Sequence, residues 1–125
     1  MGFIDNVLGI SGNASEMSLE EAREKLKGVL YDGENIELAY RLYRDMIVFA
    51  DKRLIIVNIQ GTGKKIEYKT IPYKSIQRFS VETTGNFDLD AEVKLFLSGG
   101  GYENLSFRKD KNIQEIQQIL AKRTL

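Results

Sequence analysis

Apolar residues recur along this chain at two different periods, and the change from one to the other divides it. Near the start, Phe3, Ile4, Val7 and Leu8 fall on one face at helical spacing. A segment this short does not hold a helix by itself, so its stripe needs a surface to dock on: its own domain, a second copy or lipid. Gly9 to Ser15 is a polar break. Leu19, Ala22 and Leu26 then resume the helical spacing, with Ser18 and Glu21 placed as a capping box and Gly28 as terminator. They predict a short helix over 19–27 whose opposite face, rich in Glu, Arg and Lys, is solvated. Asp32-Gly33 marks a turn.

From Ile36 the period becomes two. Ile36, Leu38, Tyr40 and Leu42 alternate with Glu37, Ala39, Arg41 and Tyr43, as in a half-buried strand. Arg44-Asp45 turns into Met46 to Phe49, and Asp51-Lys52 turns into Leu54 to Ile59. That last run is apolar on both faces, so it belongs mid-sheet or beneath a cover. Gly61-Thr62-Gly63 supplies the positive φ of a hairpin. Ile66, Tyr68 and Thr70 alternate with Lys65, Glu67 and Lys69 until Pro72, the one proline, ends the strand. Gln77, Phe79, Val81 and Thr83 follow, with Ile76 out of phase as at a bulge. Beyond a Gly85-Asn86 turn come Ala91, Val93, Leu95 and Leu97, then Gly99 to Gly101, then Tyr102 to Phe107. Asp110 or Asn112 caps a closing helix striped by Ile113, Ile116, Ile119 and Leu120. The pattern predicts an α+β domain: seven antiparallel strands forming a small barrel or orthogonal sandwich, with the last helix plugging one end. Residues 1–30 are expected as a short helical extension and 31–125 as the barrel with its helix.

Composition narrows the chemistry more than the fold. At 125 residues, 42% hydrophobic and 29% charged, one globular domain is expected. There is no Cys, His or Trp. Thiolate catalysis, disulfides, zinc–thiolate sites and every histidine-dependent triad or metal site are therefore excluded. No catalytic residue, metal site or cofactor is expected. The 18 basic residues balance the 18 acidic ones, against the basic face that a nucleic-acid binder needs. No run is long enough to span a membrane, and MGFIDNVLGISG lacks the basic start and apolar core of a secretory leader. The expected location is the cytoplasm, with attachment to a membrane surface as the alternative.

Two motifs fail on inspection. Gly61-Thr62-Gly63-Lys64 resembles a phosphate loop, but Asn58 and Lys65 occupy positions that need Gly and Ser or Thr, and a strand follows instead of a helix. Asn86, Asp88, Asp90 and Glu92 have calcium-loop spacing, but Ala91 replaces the loop glycine and Leu97 the closing acid. What remains is a small anion patch. In a meander, Arg44 at one hairpin comes close to Lys64 and Lys65 at the next.

Several blocks then carry a family resemblance: Asp45, Arg53-Leu54, Gln60 to Lys65, Ile71-Pro72-Tyr73-Lys74-Ser75-Ile76, Phe79 to Thr83, Ala91 to Leu95 and the closing helix. Over about residues 16–125 the chain resembles bacterial pleckstrin-homology (PH) domains. The resemblance implies a seven-stranded barrel capped by a helix and assembly into ring-like homo-oligomers. It does not carry phosphoinositide binding over, because only Arg41 and Arg44 stand near the first hairpin. Three roles follow as expectations. The first is a non-enzymatic scaffold or protein-interaction module that self-associates, with Phe3, Ile4, Val7 and Leu8 as a docking stripe. The second is a peripheral-membrane or anion-binding adaptor using Arg44, Lys64 and Lys65. The third is a receptor for a small molecule or peptide in the barrel mouth.

Overall fold

The computed structural model describes residues 15–42, 44–83, 90–108 and 113–125. The docking stripe at Phe3, Ile4, Val7 and Leu8 lies outside them, as do Tyr43, the Gly85-Asn86 turn, Asn86 and Asp88, and the helix caps Asp110 and Asn112. The described elements run β1 (Ser15–Glu16), α1 (Leu19–Lys25), β2 (Ile36–Leu42), β3 (Asp45–Ala50), β4 (Arg53–Gln60) and β5 (Lys65–Pro72). A single 3-10 turn, Tyr73–Ser75, leads to β6 (Ile76–Thr83), β7 (Asp90–Leu97), β8 (Tyr102–Arg108) and α2 (Ile113–Thr124).

Two antiparallel sheets result. One has the order β1-β2-β3-β4-β5, a four-stranded meander with the two-residue β1 added at its edge. The other is β6-β7-β8. The seven long strands are those the alternation predicts. The two-residue β1 is an addition that no periodicity could mark.

The main core lies between the sheets. Phe49, Leu54, Val93, Leu95 and Phe107 meet there, and α2 closes it with Ile116, Ile119 and Leu120. Tyr40 packs edge-on against Phe107 with ring centroids 5.1 Å apart, which favours the positive ring edge over a negative face. A second apolar layer lies on the outside of the larger sheet. Met17, Ala22 and Leu26 cover Ile36, Ala39, Met46, Val48, Ile55 and Val57. This explains why β4 is apolar on both faces: Leu54 and Ile56 face the barrel, and Ile55 and Val57 face the segment containing α1.

The capping box forms by half. Ser18 Oγ accepts from the Glu21 N–H at 3.0 Å, while the Glu21 carboxylate reaches across to Arg41 on β2. Gly28 has φ +88°, the left-handed conformation that lets the chain leave the helix there.

Three expectations need correction. Leu19 does not join the buried stripe of α1 and is 39% exposed. Ile36 does not share a face with Leu38, Tyr40 and Leu42. The register slips between Ile36 and Leu38, and the extra residue turns Ile36 to the outer layer with Ala39. Asp45 begins β3 instead of lying in the turn, and its carboxylate accepts from the Ile59 N–H at 2.8 Å. On β5, Ile66 and Tyr68 are 44% and 47% exposed. They lie opposite Ile59 and Val57 on the outer face, on the edge strand of the sheet. The bulge expected at Ile76 is present, between Ile76 and Arg78, and it lets Ile76 join Phe79 and Val81 in the core.

Candidate functional site

The meander brings the β2–β3 and β4–β5 hairpins to one end of the barrel. Arg44 is exposed there, and its guanidinium donates to the Gly61 carbonyl at 2.9 Å. Lys64 and Lys65 are exposed on that same hairpin. The three residues are thus neighbours through the hairpin backbone, where the Arg44 guanidinium donates to the carbonyls of Ile59 and Gly61. Beside Arg44 is a groove of about 300 Å³ whose lining carries both signs, Glu21 and Asp45 against Lys25 and Arg41.

A larger concavity, about 780 Å³, opens at the other end of the barrel. Four segments build it: the α1–β2 loop at Val29 and Tyr31, the β3–β4 turn, the end of β5 with the turn through Lys74, and the last turn of α2. Backbone bonds fix the second and third together. The Tyr73 N–H donates to the Lys52 carbonyl at 3.1 Å, and the buried Tyr73 hydroxyl donates to the Ala50 carbonyl at 2.6 Å. Burial pushes that hydroxyl's pKa far above its usual range, so it stays a donor.

One wall is an ion pair. Glu34 is only 3% exposed and holds Arg53 at two points, Nε to Oε2 and Nη2 to Oε1, each 2.8 Å. Arg53 also donates to Thr70 Oγ1 and to the Val29 carbonyl, and Glu34 accepts from the Tyr31 N–H. The Arg53 hydrogen bonds hold the Glu34 carboxyl below the usual carboxylate range, against the opposing cost of its burial. Planar, two-point pairing of this kind suits a guanidinium. It pins the loop between α1 and β2 onto the start of β4. Arg123 is likewise paired with Glu37, which raises its pKa further and ties α2 to β2.

The remaining cations of the cleft are Lys52, Lys74 and Lys122. None of the three has an ion pair among the described residues. The one carboxylate lining the cleft, Asp51, accepts from the Tyr31 hydroxyl at 3.3 Å. Periodicity could not assemble this cluster, because its lysines come from three distant stretches. The only local signal was the Ile-Pro-Tyr-Lys block, whose tyrosine ties the turns together. Among the described residues no group of three acidic side chains is placed to hold a metal ion, and no helix is long and apolar enough to cross a membrane.

With strand order, closing helix and cleft established, likeness to known proteins decides the family. The model for the bacterial PH domain matches residues 5–124. The chain belongs to the bacterial PH domain family. The match reaches back to residue 5 and so includes the segment ahead of β1. Among its relatives is the uncharacterized protein YjqA of Bacillus subtilis, 54% identical over 124 residues, 97% of each chain. The crystal structure of a duf1696 family protein with a pleckstrin-homology domain, from Shewanella loihica, superposes with a TM-score of 0.78 at 44% identity, covering 91% of this chain and 99% of that one. A pleckstrin homology domain from Shewanella amazonensis gives 0.71 at 42% identity over 99% of both chains. This PH domain therefore shares both its fold and much of its sequence with chains that it covers nearly end to end.

Proposed function

We propose that this bacterial PH domain is a non-enzymatic module that works by associating with further copies of itself. The observation that supports the reading best is the apolar ribbon on β5. Ile66 and Tyr68 are each close to half exposed on an edge strand, while the segment containing α1 covers the outer faces of β2, β3 and β4. Apolar residues that none of the described residues covers, beside a strand edge that none of them pairs, favour pairing with another chain. A sequence whose acidic and basic residues cancel offers little net repulsion against it. The helical-period apolar residues Phe3, Ile4, Val7 and Leu8 are a second candidate, read from the sequence, for the same assembly. Sedimentation velocity over a range of concentrations tests the reading. Species heavier than the 14.2 kDa chain are expected, and a single monomer peak into the high micromolar range rules self-association out.

A second reading, a peripheral-membrane adaptor, rests on the exposed Lys64 and Lys65 beside Arg44 and on the N-terminal stripe. One short amphipathic segment binds lipid weakly, so this role needs several copies acting together. Cosedimentation with anionic vesicles at low and physiological salt tests it, and no pelleting at either removes it.

A further inference from the structure

We propose that the cleft at the Tyr73 end of the barrel binds a compact, multiply charged oxyanion bearing phosphate groups, with Lys52, Lys74 and Lys122 as its ligands. This goes beyond self-association and uses the end of the barrel opposite the Arg44–Lys64–Lys65 hairpins.

The charge balance is local. Over the whole chain the charges cancel, but inside the cleft they do not. Arg53 is neutralised by Glu34 and Arg123 by Glu37. That leaves three lysine ammoniums facing one carboxylate, Asp51, which already accepts from the Tyr31 hydroxyl. A concave site with low-dielectric walls concentrates the field of such a group and raises the local concentration of anions. Lys122 stands in the last turn of α2, where it offsets the partial negative charge of the helix end.

The backbone beneath the lysines is fixed before any ligand arrives. The Lys52 and Lys74 turns are joined by the Tyr73 N–H and hydroxyl bonds, and Ser75 Oγ donates to the Pro72 carbonyl at 2.7 Å. Fixing the anchor points in advance lowers the ordering cost of binding. Lysines recognise phosphate as movable point charges and do not impose a planar two-point geometry. Three of them converging on a cleft of about 780 Å³ therefore suit a small polyphosphate or a phosphorylated headgroup better than a single carboxylate. Thr70 Oγ1 lines the same cleft and accepts from Arg53, which leaves its own proton to donate.

The test follows backbone amide resonances of the full chain during titration with inorganic pyrophosphate. In parallel, cosedimentation uses phosphatidylcholine vesicles with and without phosphatidylglycerol. Saturable shifts are expected at Lys52–Arg53, Tyr73–Lys74 and Lys122–Arg123. Lys52→Glu combined with Lys74→Glu should weaken pyrophosphate at least ~10-fold at unchanged thermal midpoint, with Lys122→Glu acting in the same direction. Lys64→Glu with Lys65→Glu should leave affinity unchanged. If anionic vesicles also pellet the protein, and the Lys52/Lys74 variant does not pellet, the source is a lipid headgroup. Pyrophosphate binding without pelleting identifies a soluble anion. Shifts that never saturate, that centre on Lys64 and Lys65, or that survive charge reversal at Lys52 and Lys74 overturn the proposal.

Discussion

At the scale of single residues, Arg53 and Glu34 carry the most consequence per atom. Glu34 is buried, yet each carboxylate oxygen is met by the Arg53 guanidinium. Removing one partner leaves the other charged and desolvated. Arg53→Ala should therefore lower stability by about 3–5 kcal/mol in urea unfolding, while replacing both residues with apolar ones of similar volume should cost much less. The pair also sets an acid limit. Glu34 ionises in the unfolded chain near its ordinary value of 4.5 and lower in the folded one. Its contribution is complete above that value and is lost as pH falls through the depressed folded value. Glu34→Gln should flatten the pH dependence of the unfolding free energy in that acid window, as denaturant titrations at successive pH values would show. Neither role was legible in the sequence. Glu34 looked like a loop residue after a turn, and Arg53 like a strand start. Their partnership needs the loop folded back onto β4, and no periodicity encodes that contact.

Among elements, the segment from β1 through α1 matters most for understanding the larger sheet. Leu26 is fully buried beneath Val48, Ile55 and their neighbours. Leu26→Ala should cost about 2–5 kcal/mol, and Ser18→Ala, which removes the helix cap, about 1 kcal/mol, both read from denaturant midpoints at constant m-value. The strands themselves were readable, because alternation, glycine hairpins and the single proline all agree. Two features were not. The bulge at Glu37 moves Ile36 to the outer face, and the sequence around it alternates without a break. Ile66 and Tyr68 alternate like any half-buried strand, but alternation does not say whether a face has a cover. Ile55 and Val57 have one, and Ile66 and Tyr68, opposite Ile59 and Val57 across the β4–β5 ladder, are left at its margin.

For the whole molecule, the two barrel ends and the β5 edge are regions of different chemistry. One end has Arg44 bound into a hairpin beside Lys64 and Lys65. The other has the cleft where three lysines outnumber one carboxylate. Between them β5 offers Ile66 and Tyr68. Each still buries about half of its side chain, so lysine at each should cost about 1 kcal/mol of unfolding free energy and leave the fold intact. An effect on assembly would then be separable from an effect on folding. The most direct measurement is light scattering of the eluting particle, wild type beside Ile66→Lys with Tyr68→Lys. The expected result is a wild-type mass that is a multiple of 14.2 kDa and a variant mass shifted towards the single chain, with the variant still unfolding in one cooperative transition. A wild-type particle of single-chain mass, or an oligomer indifferent to both lysines, would contradict assembly through this edge.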